Sequence, residues 1–206
     1  MAQMKTRQIF HRGLWEENPV FRQILGICSA LAVTNLLVNT LIMGLSLIFV
    51  TAMSGVTVSL LRNMTPARIR MMVQVLIIAS YVIIVDVVLK AFLPDVSRAL
   101  GPYVGLIITN CIIMGRCEGF ARSNPVWPSF VDGVASGAGY AVVLLTVAFF
   151  RELLGFGTVF GFPALPGDWT RWTIMVMPPG AFFVLGTIIW CITYLWPKQQ
   201  KAKAGK

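Results

Sequence analysis

Two cysteines stand in settings that repeat. Cys28 lies in LGICSALAVTN, Leu25 to Asn35, and Cys111 in LIITNCIIMGR, Leu106 to Arg116. Both stretches are apolar and carry a Thr-Asn pair close to the thiol. A free cysteine inside an apolar helix is usually a small packing residue. Cys191 fits that reading, and Cys117, flanked by Arg116 and Glu118, also reads as structural. Cys28 and Cys111 differ because their positions match across the chain. Three chemistries suit such a pair. One is a disulfide exchanging electrons with a quinone, although that calls for accessible thiols of low pKa. Another is a soft-metal site, which would need further Met or Cys ligands. The third is half of an iron–sulfur site, since such clusters ordinarily take four thiolates. Residue types and spacing leave all three open.

The elements that must position these thiols are membrane spans. Of 206 residues, 57% are hydrophobic and 12% charged. No charged residue occurs between Gln23 and Leu61, a run that suits bilayer-crossing helices of ~20 apolar residues each. The expected fold is an all-α integral membrane protein with six transmembrane helices. They are placed at Phe21–Val38, Leu41–Leu61, Met71–Phe92, Tyr103–Met114, Val131–Phe150 and Met175–Trp196. The first and fourth are the irregular ones. The first carries Gly26, Ser29, Thr34 and Asn35, and the fourth is short, opening after Gly101-Pro102 and ending at Gly115.

A three-span unit repeated in tandem must insert its second copy upside down. The organisation expected is a cytoplasmic tail over 1–20, a first three-helix repeat over 21–100, an inverted one over 101–197, and a basic tail over 198–206. Short or interrupted helices at corresponding places in inverted halves point to a site near the bilayer midplane. Along a helix, Cys28 lies ~9 Å beyond Arg22 and Cys111 ~12 Å beyond Tyr103. The two thiols would approach the middle from opposite faces.

Seventeen Lys and Arg against eight Asp and Glu give a net charge of +9. The basic residues sit in short blocks between apolar spans, as orientation charges do, and no basic-aromatic groove pattern for nucleic acid is present. With the N-terminus inside, thirteen basic residues face the cytoplasm and four (Lys90, Arg98, Arg151, Arg171) face outward. Both termini are thus expected in the cytoplasm. The N-terminal segment has no apolar core ending in a small-residue cleavage site, so no removable signal is expected. The cysteines form no C-x-x-C pair, and a secreted disulfide framework is not expected.

Four other acidic or basic groups stand out. Asp86 lies deep in the third span, where a carboxylate is expensive; it would either bind or sense a cation or pair with Lys90 one turn on. Asp132 opens the fifth span and is expected to cap it, or to guard a cation entrance. Arg116 with Glu118, and Arg151 with Glu152, read as interfacial charges or as salt bridges between spans. Gly133, Gly137 and Gly139 supply small-residue spacing for close helix packing, not a phosphate loop. His11 is a lone, solvated tail residue. No nucleophile–base set and no nucleotide or flavin motif is visible.

The stretches LGICSALAVTN, GLIITNCIIMGR, AFFRELLGFGTVFG and MPPGAFF resemble a known family, NqrD/RnfE. Its members are the NqrD subunits of the sodium-translocating NADH:quinone oxidoreductase and their paralogues, the RnfE subunits of the Rnf complex. The likeness runs from about Asn18 to Trp196. GICSALAVTN, FVDG and VDVVLKAF are more similar to the quinone-reductase branch, GLWEENP and PPGAFF to the Rnf branch; the former is favoured. The resemblance implies a six-span subunit of two inverted repeats in the bacterial cytoplasmic membrane. It implies a partner, a homologous six-helix subunit of opposite orientation, and further subunits handling flavin and quinone or NAD. It implies a [2Fe–2S] cluster shared between the two homologues, with Cys28 and Cys111 as this chain's ligands. Sulfur hydrogen bonds from nearby backbone, and from Thr34 or Asn110, would tune it. The chain would relay electrons within an ion-translocating oxidoreductase and hold no complete active site. The rival reading is a small transporter or scaffold in which both cysteines merely pack.

Overall fold

A computed structural model describes residues 25–66, 68–92, 94–159, 162–163 and 173–195. The expected tails over 1–20 and 198–206, residues 21–24 of the first expected span, His11, Arg171 and Trp196 lie outside them. The described helices are α1 (Ile27–Val33), α2 (Leu37–Leu61), α3 (Arg70–Phe92), α4 (Pro94–Ile108), α5 (Cys111–Arg116), α6 (Val126–Phe156), α7 (Thr173–Val176) and α8 (Pro178–Leu195). A π-helical turn, Cys117–Ala121, continues α5. The strands β1 (Thr158–Val159) and β2 (Phe162–Pro163) pair antiparallel, with Val159 opposite Phe162. Among the described residues, Leu37–Leu61, Arg70–Phe92, Tyr103–Ala121 and Val126–Phe156 are long and apolar enough to cross a membrane.

The centre of the structure is the antiparallel pair α2 and α6, held close by small residues. A Cβ on Gly133 would lie 2.8 Å from the Ala52 Cα, and one on Gly137 would lie 3.0 Å from the Ile48 Cα. One on Gly44 would lie 3.1 Å from the Ala141 Cβ. Ser59 at the far end of α2 donates to the Asn124 carbonyl just before α6 (2.7 Å). Where lipid is as apolar as leucine, close backbone approach supplies the packing attraction between helices. Gly133 and Gly137 therefore do what their spacing implied. Val50, Leu47, Met43, Leu144, Val147 and Tyr140 extend this seam into one apolar core. Helix α3 meets it along the stripe Gln74, Ile78 and Val82 and is otherwise mostly exposed.

The third expected span agrees with α3 to one residue. The second begins four residues earlier than expected, at Leu37, and so takes in Val38 from the end of the first. The fourth runs on through Gly115 as α5 and the π turn. The fifth is longer than expected at both ends. Helix α6 starts at Val126 because Pro125 caps it and Pro128 sits in its first turn, where a missing amide costs nothing. It runs on past Arg151 and Glu152 to Gly157, whose φ of 69° ends it in a left-handed turn. The sixth is divided at Met177 into α7 and α8.

Gly133→Ala is expected to lower the thermal stability of the solubilised protein by about 1–3 kcal/mol, because the new methyl meets backbone. Gly105→Ala, with nothing within 4 Å of the added carbon, is the control expected to leave the melting temperature in place.

Candidate functional site

Cys111 follows a break in the helical backbone, and Cys28 follows a left-handed residue at the start of a helix. Gly26 precedes α1 with φ 85°, a left-handed conformation that glycine adopts without strain. It is also sterically required, since an added Cβ would lie 2.6 Å from the Ile112 Cδ1 and 2.7 Å from the Tyr140 Cε2. Two residues on, Cys28 occupies the first turn of α1. In the other half, α4 stops at Ile108, Asn110 is extended, and Cys111 is the first residue of α5. The Asn110 side chain caps α5 by accepting from the Ile112 amide (3.1 Å).

The helix start at Gly26 and the break at Asn110 face each other. The Gly26 amide donates to the Cys111 Sγ at 2.9 Å. Around this contact one chain of hydrogen bonds uses each proton once. The Asn110 Nδ2 donates to the Ser29 Oγ (3.2 Å), the Ser29 hydroxyl bonds the Tyr140 hydroxyl, and Tyr140 donates to the Gly26 carbonyl (2.7 Å). Ser29, Asn110 and Tyr140 are all buried. Cys28, by contrast, is exposed and Cys111 half-buried. The thiols sit at the edge of the bundle, with a polar network behind them. Thr34 and Asn110, expected to bond sulfur, are committed elsewhere; the sulfur donor is backbone. Thr34 donates to the Ala30 carbonyl and accepts from Arg151.

A second set of interactions closes the gap between α1 and α2. The Glu152 Oε2 accepts from the Leu37 amide at 2.7 Å, at the N-terminus of α2. Leu36, in the capping position, offers no side-chain acceptor, so a carboxylate from α6 serves instead. Arg151 donates to Thr34 and, through NH2, to the Val176 carbonyl (2.9 Å) at the end of α7. Arg151 is 2% exposed and Glu152 1%. Of the two alternatives the sequence left open, interfacial charges or links between spans, these contacts match the second: both side chains join α6 to other segments. They are buried because broken helices on both sides present polar groups to them.

The other candidates lie apart from the thiols. Asp132 does not cap α6. It sits in the second turn, 3% exposed, and accepts from the Arg116 Nε at 2.8 Å and from its NH2. This pair ties α5 to α6. Asp86 accepts from Lys90 one turn on (2.6 Å). Glu118 binds Arg70 (2.7 Å) on α3 and Arg122 (3.0 Å). Cys117 is buried within the bundle, as read. Cys191 is exposed on α8 and packs against nothing that covers it among the described residues.

The donor set suits a shared metal group in one respect and falls short of a full one in another. Two thiols lie beside a helix start and a helix break that face each other, one of them already accepting a backbone N–H. Among the described residues there is no group of three or more His, Cys, Asp or Glu that could hold a metal ion. Cys28 is exposed on the surface. Tyr140→Phe is expected to cost about 1–2 kcal/mol of thermal stability by removing the bonds to the Gly26 carbonyl and to the Ser29 hydroxyl. Glu152→Ala is expected to cost more, about 1.5–3 kcal/mol, by stripping the α2 terminus of a charged acceptor. Glu152→Gln, which keeps an acceptor, should lose less in the same melting assay.

Residues 6–189 match the family described as Rnf-Nqr subunit, membrane protein. The chain is 50% identical over 209 residues to the D subunit of the Na(+)-translocating NADH-quinone reductase of Photobacterium profundum, covering 98% of this chain and 100% of that protein. With the match extending over nearly the whole length, this chain belongs to the Rnf-Nqr family of membrane subunits.

Proposed function

We propose that this chain is the NqrD component of a Na+-translocating NADH:quinone reductase. In this reading Cys28 and Cys111 supply two thiolate ligands to a [2Fe–2S] cluster within the membrane. A homologous subunit of opposite orientation supplies the other two. The full-length relative favours this branch over the Rnf ferredoxin:NAD complex. The carrying observation is the meeting of the α1 start with the break before α5, with the Gly26 amide on the Cys111 sulfur, Cys28 exposed and Cys111 half-buried.

The cluster, when bound, would supply one-electron transfer; flavin, NADH and quinone chemistry would belong to other subunits. This chain's residues would do three things. The Gly26 N–H would stabilise negative charge on the Cys111 sulfur. Asn110, Ser29 and Tyr140 would hold the α1 start and the break before α5 in register. The apolar core of Met43, Leu47 and Leu144 would keep water from the inner side of the site.

Six spans in two inverted repeats, over 21–100 and 101–197, form part of the same proposal. So do residence in the bacterial inner membrane and cytoplasmic termini. The antiparallel course of α2 and α6 supports the repeat, because equivalent helices of inverted copies run in opposite directions. Asp86 and Asp132 would serve an ion path only after release from Lys90 and Arg116, whose charges now offset theirs.

The assembled complex should hold iron and, once reduced, give a [2Fe–2S]-type paramagnetic resonance signal at low temperature. Cys28→Ala and Cys111→Ala, each checked for intact assembly, should both lose it, while Cys117→Ala and Cys191→Ala keep it. Full iron in an assembled Cys28 or Cys111 variant would leave a transporter or scaffold in its place.

A further inference from the structure

A cavity of about 250 Å³ opens where α2, α3 and the π turn come together at one end of the bundle. Its apolar wall is Val58, Leu61, Val73 and Ile77, and its rim carries Arg62, Arg70 and Arg122. It lies at membrane-surface depth, since Arg62 directly follows one apolar span and Arg70 begins the next. Glu118 is the one carboxylate that reaches these arginines among the described residues, bonding Arg70 and Arg122. Three guanidinium groups against one carboxylate leave two positive charges in excess. The Arg62 side chain bonds no other described residue.

Gln74, 2% exposed, lines the cavity and holds its acidic member in place. Its Nε2 donates to the Glu118 Oε2 (2.8 Å), so Glu118 is anchored from α3 by both Gln74 and Arg70.

We infer that this cavity binds an anionic phospholipid, its phosphodiester held by Arg62, Arg70 and Arg122. Arginine matches phosphate oxygens with paired, planar donors. The apolar wall beneath would receive the upper part of an acyl chain, and exposed Leu60 and Met72 continue that surface toward lipid. Basic pockets between transmembrane helices bind anionic headgroups on this principle. The site needs neither the cluster nor either cysteine, so it stands apart from the redox reading.

The test uses the intact complex in vesicles with a photoactivatable phosphatidylglycerol, compared with the matching phosphatidylcholine. Labelled peptides are mapped by mass spectrometry. Phosphatidylglycerol should label the segment 58–77 preferentially. Arg62→Gln should cut that labelling about fivefold, the factor that one guanidinium near an anionic surface is worth. Arg122→Gln should cut it as well, and millimolar inorganic phosphate should leave it in place. Equal labelling by both lipids would overturn the inference, as would labelling unchanged in Arg62→Gln. Suppression by inorganic phosphate would overturn it in favour of a small free anion. Absence of label in the complex would overturn it in favour of a neighbouring subunit filling the cavity.

Discussion

A helix broken inside a bilayer exposes amides and carbonyls that lipid cannot satisfy, and every such group must find a partner within protein. Among the described residues a helix starts at Gly26, and breaks fall between Thr34 and Leu36, at Asn110 and at Met177. The partners come largely from one element. Helix α6 sends Tyr140 to Gly26, Glu152 to the break after Thr34, and Arg151 to that break and to the one at Met177. The break at Asn110 is served locally by its own side chain, which also reaches across to Ser29. The polar residues of α6 and its glycines are thus two sides of one arrangement. The glycines bring α6 close enough to α2 for its long side chains to reach the breaks.

That dependence explains what could be read from the residues alone. Four of the expected spans, the interruption in the fourth and the packing role of Gly133 and Gly137 follow from composition and spacing. The paired cysteines stand out for the same reason. Arg151 and Glu152 leave two readings open, because a charge at the end of an apolar run ordinarily marks a membrane interface. Nothing local distinguishes such a charge from one drawn inward by a broken helix elsewhere. Asp132 is misread, since Pro125 and Pro128 move the helix start upstream and Arg116 arrives from another helix. Tyr140, hidden within GAGY, gives no signal at all. Its role depends on Gly26, 114 residues away along the chain.

The two kinds of buried charge differ in what they hold. Arg116 with Asp132 joins helices that are already neighbours in sequence. Arg151 and Glu152 instead join α6 to Thr34 and to the Leu37 amide, each more than a hundred residues away, and Arg151 also reaches the Val176 carbonyl. Replacing a buried ion pair by apolar residues is often tolerated. A carboxylate that terminates a helix is harder to replace, because the amide behind it remains.

The α2–α6 seam also has a mechanical meaning. With backbone against backbone at Gly44, Gly133 and Gly137, the two helices cannot slide past each other by even part of a turn without collision. They behave as a single stiff keel. Helix α3 is held differently, by the buried stripe of Gln74, Ile78 and Val82 and by side-chain bonds from Arg70 and Gln74 to Glu118 and from Tyr81 to Thr57. Sliding α2 against α6 would have to deform backbone, whereas shifting α3 would have to break only side-chain contacts.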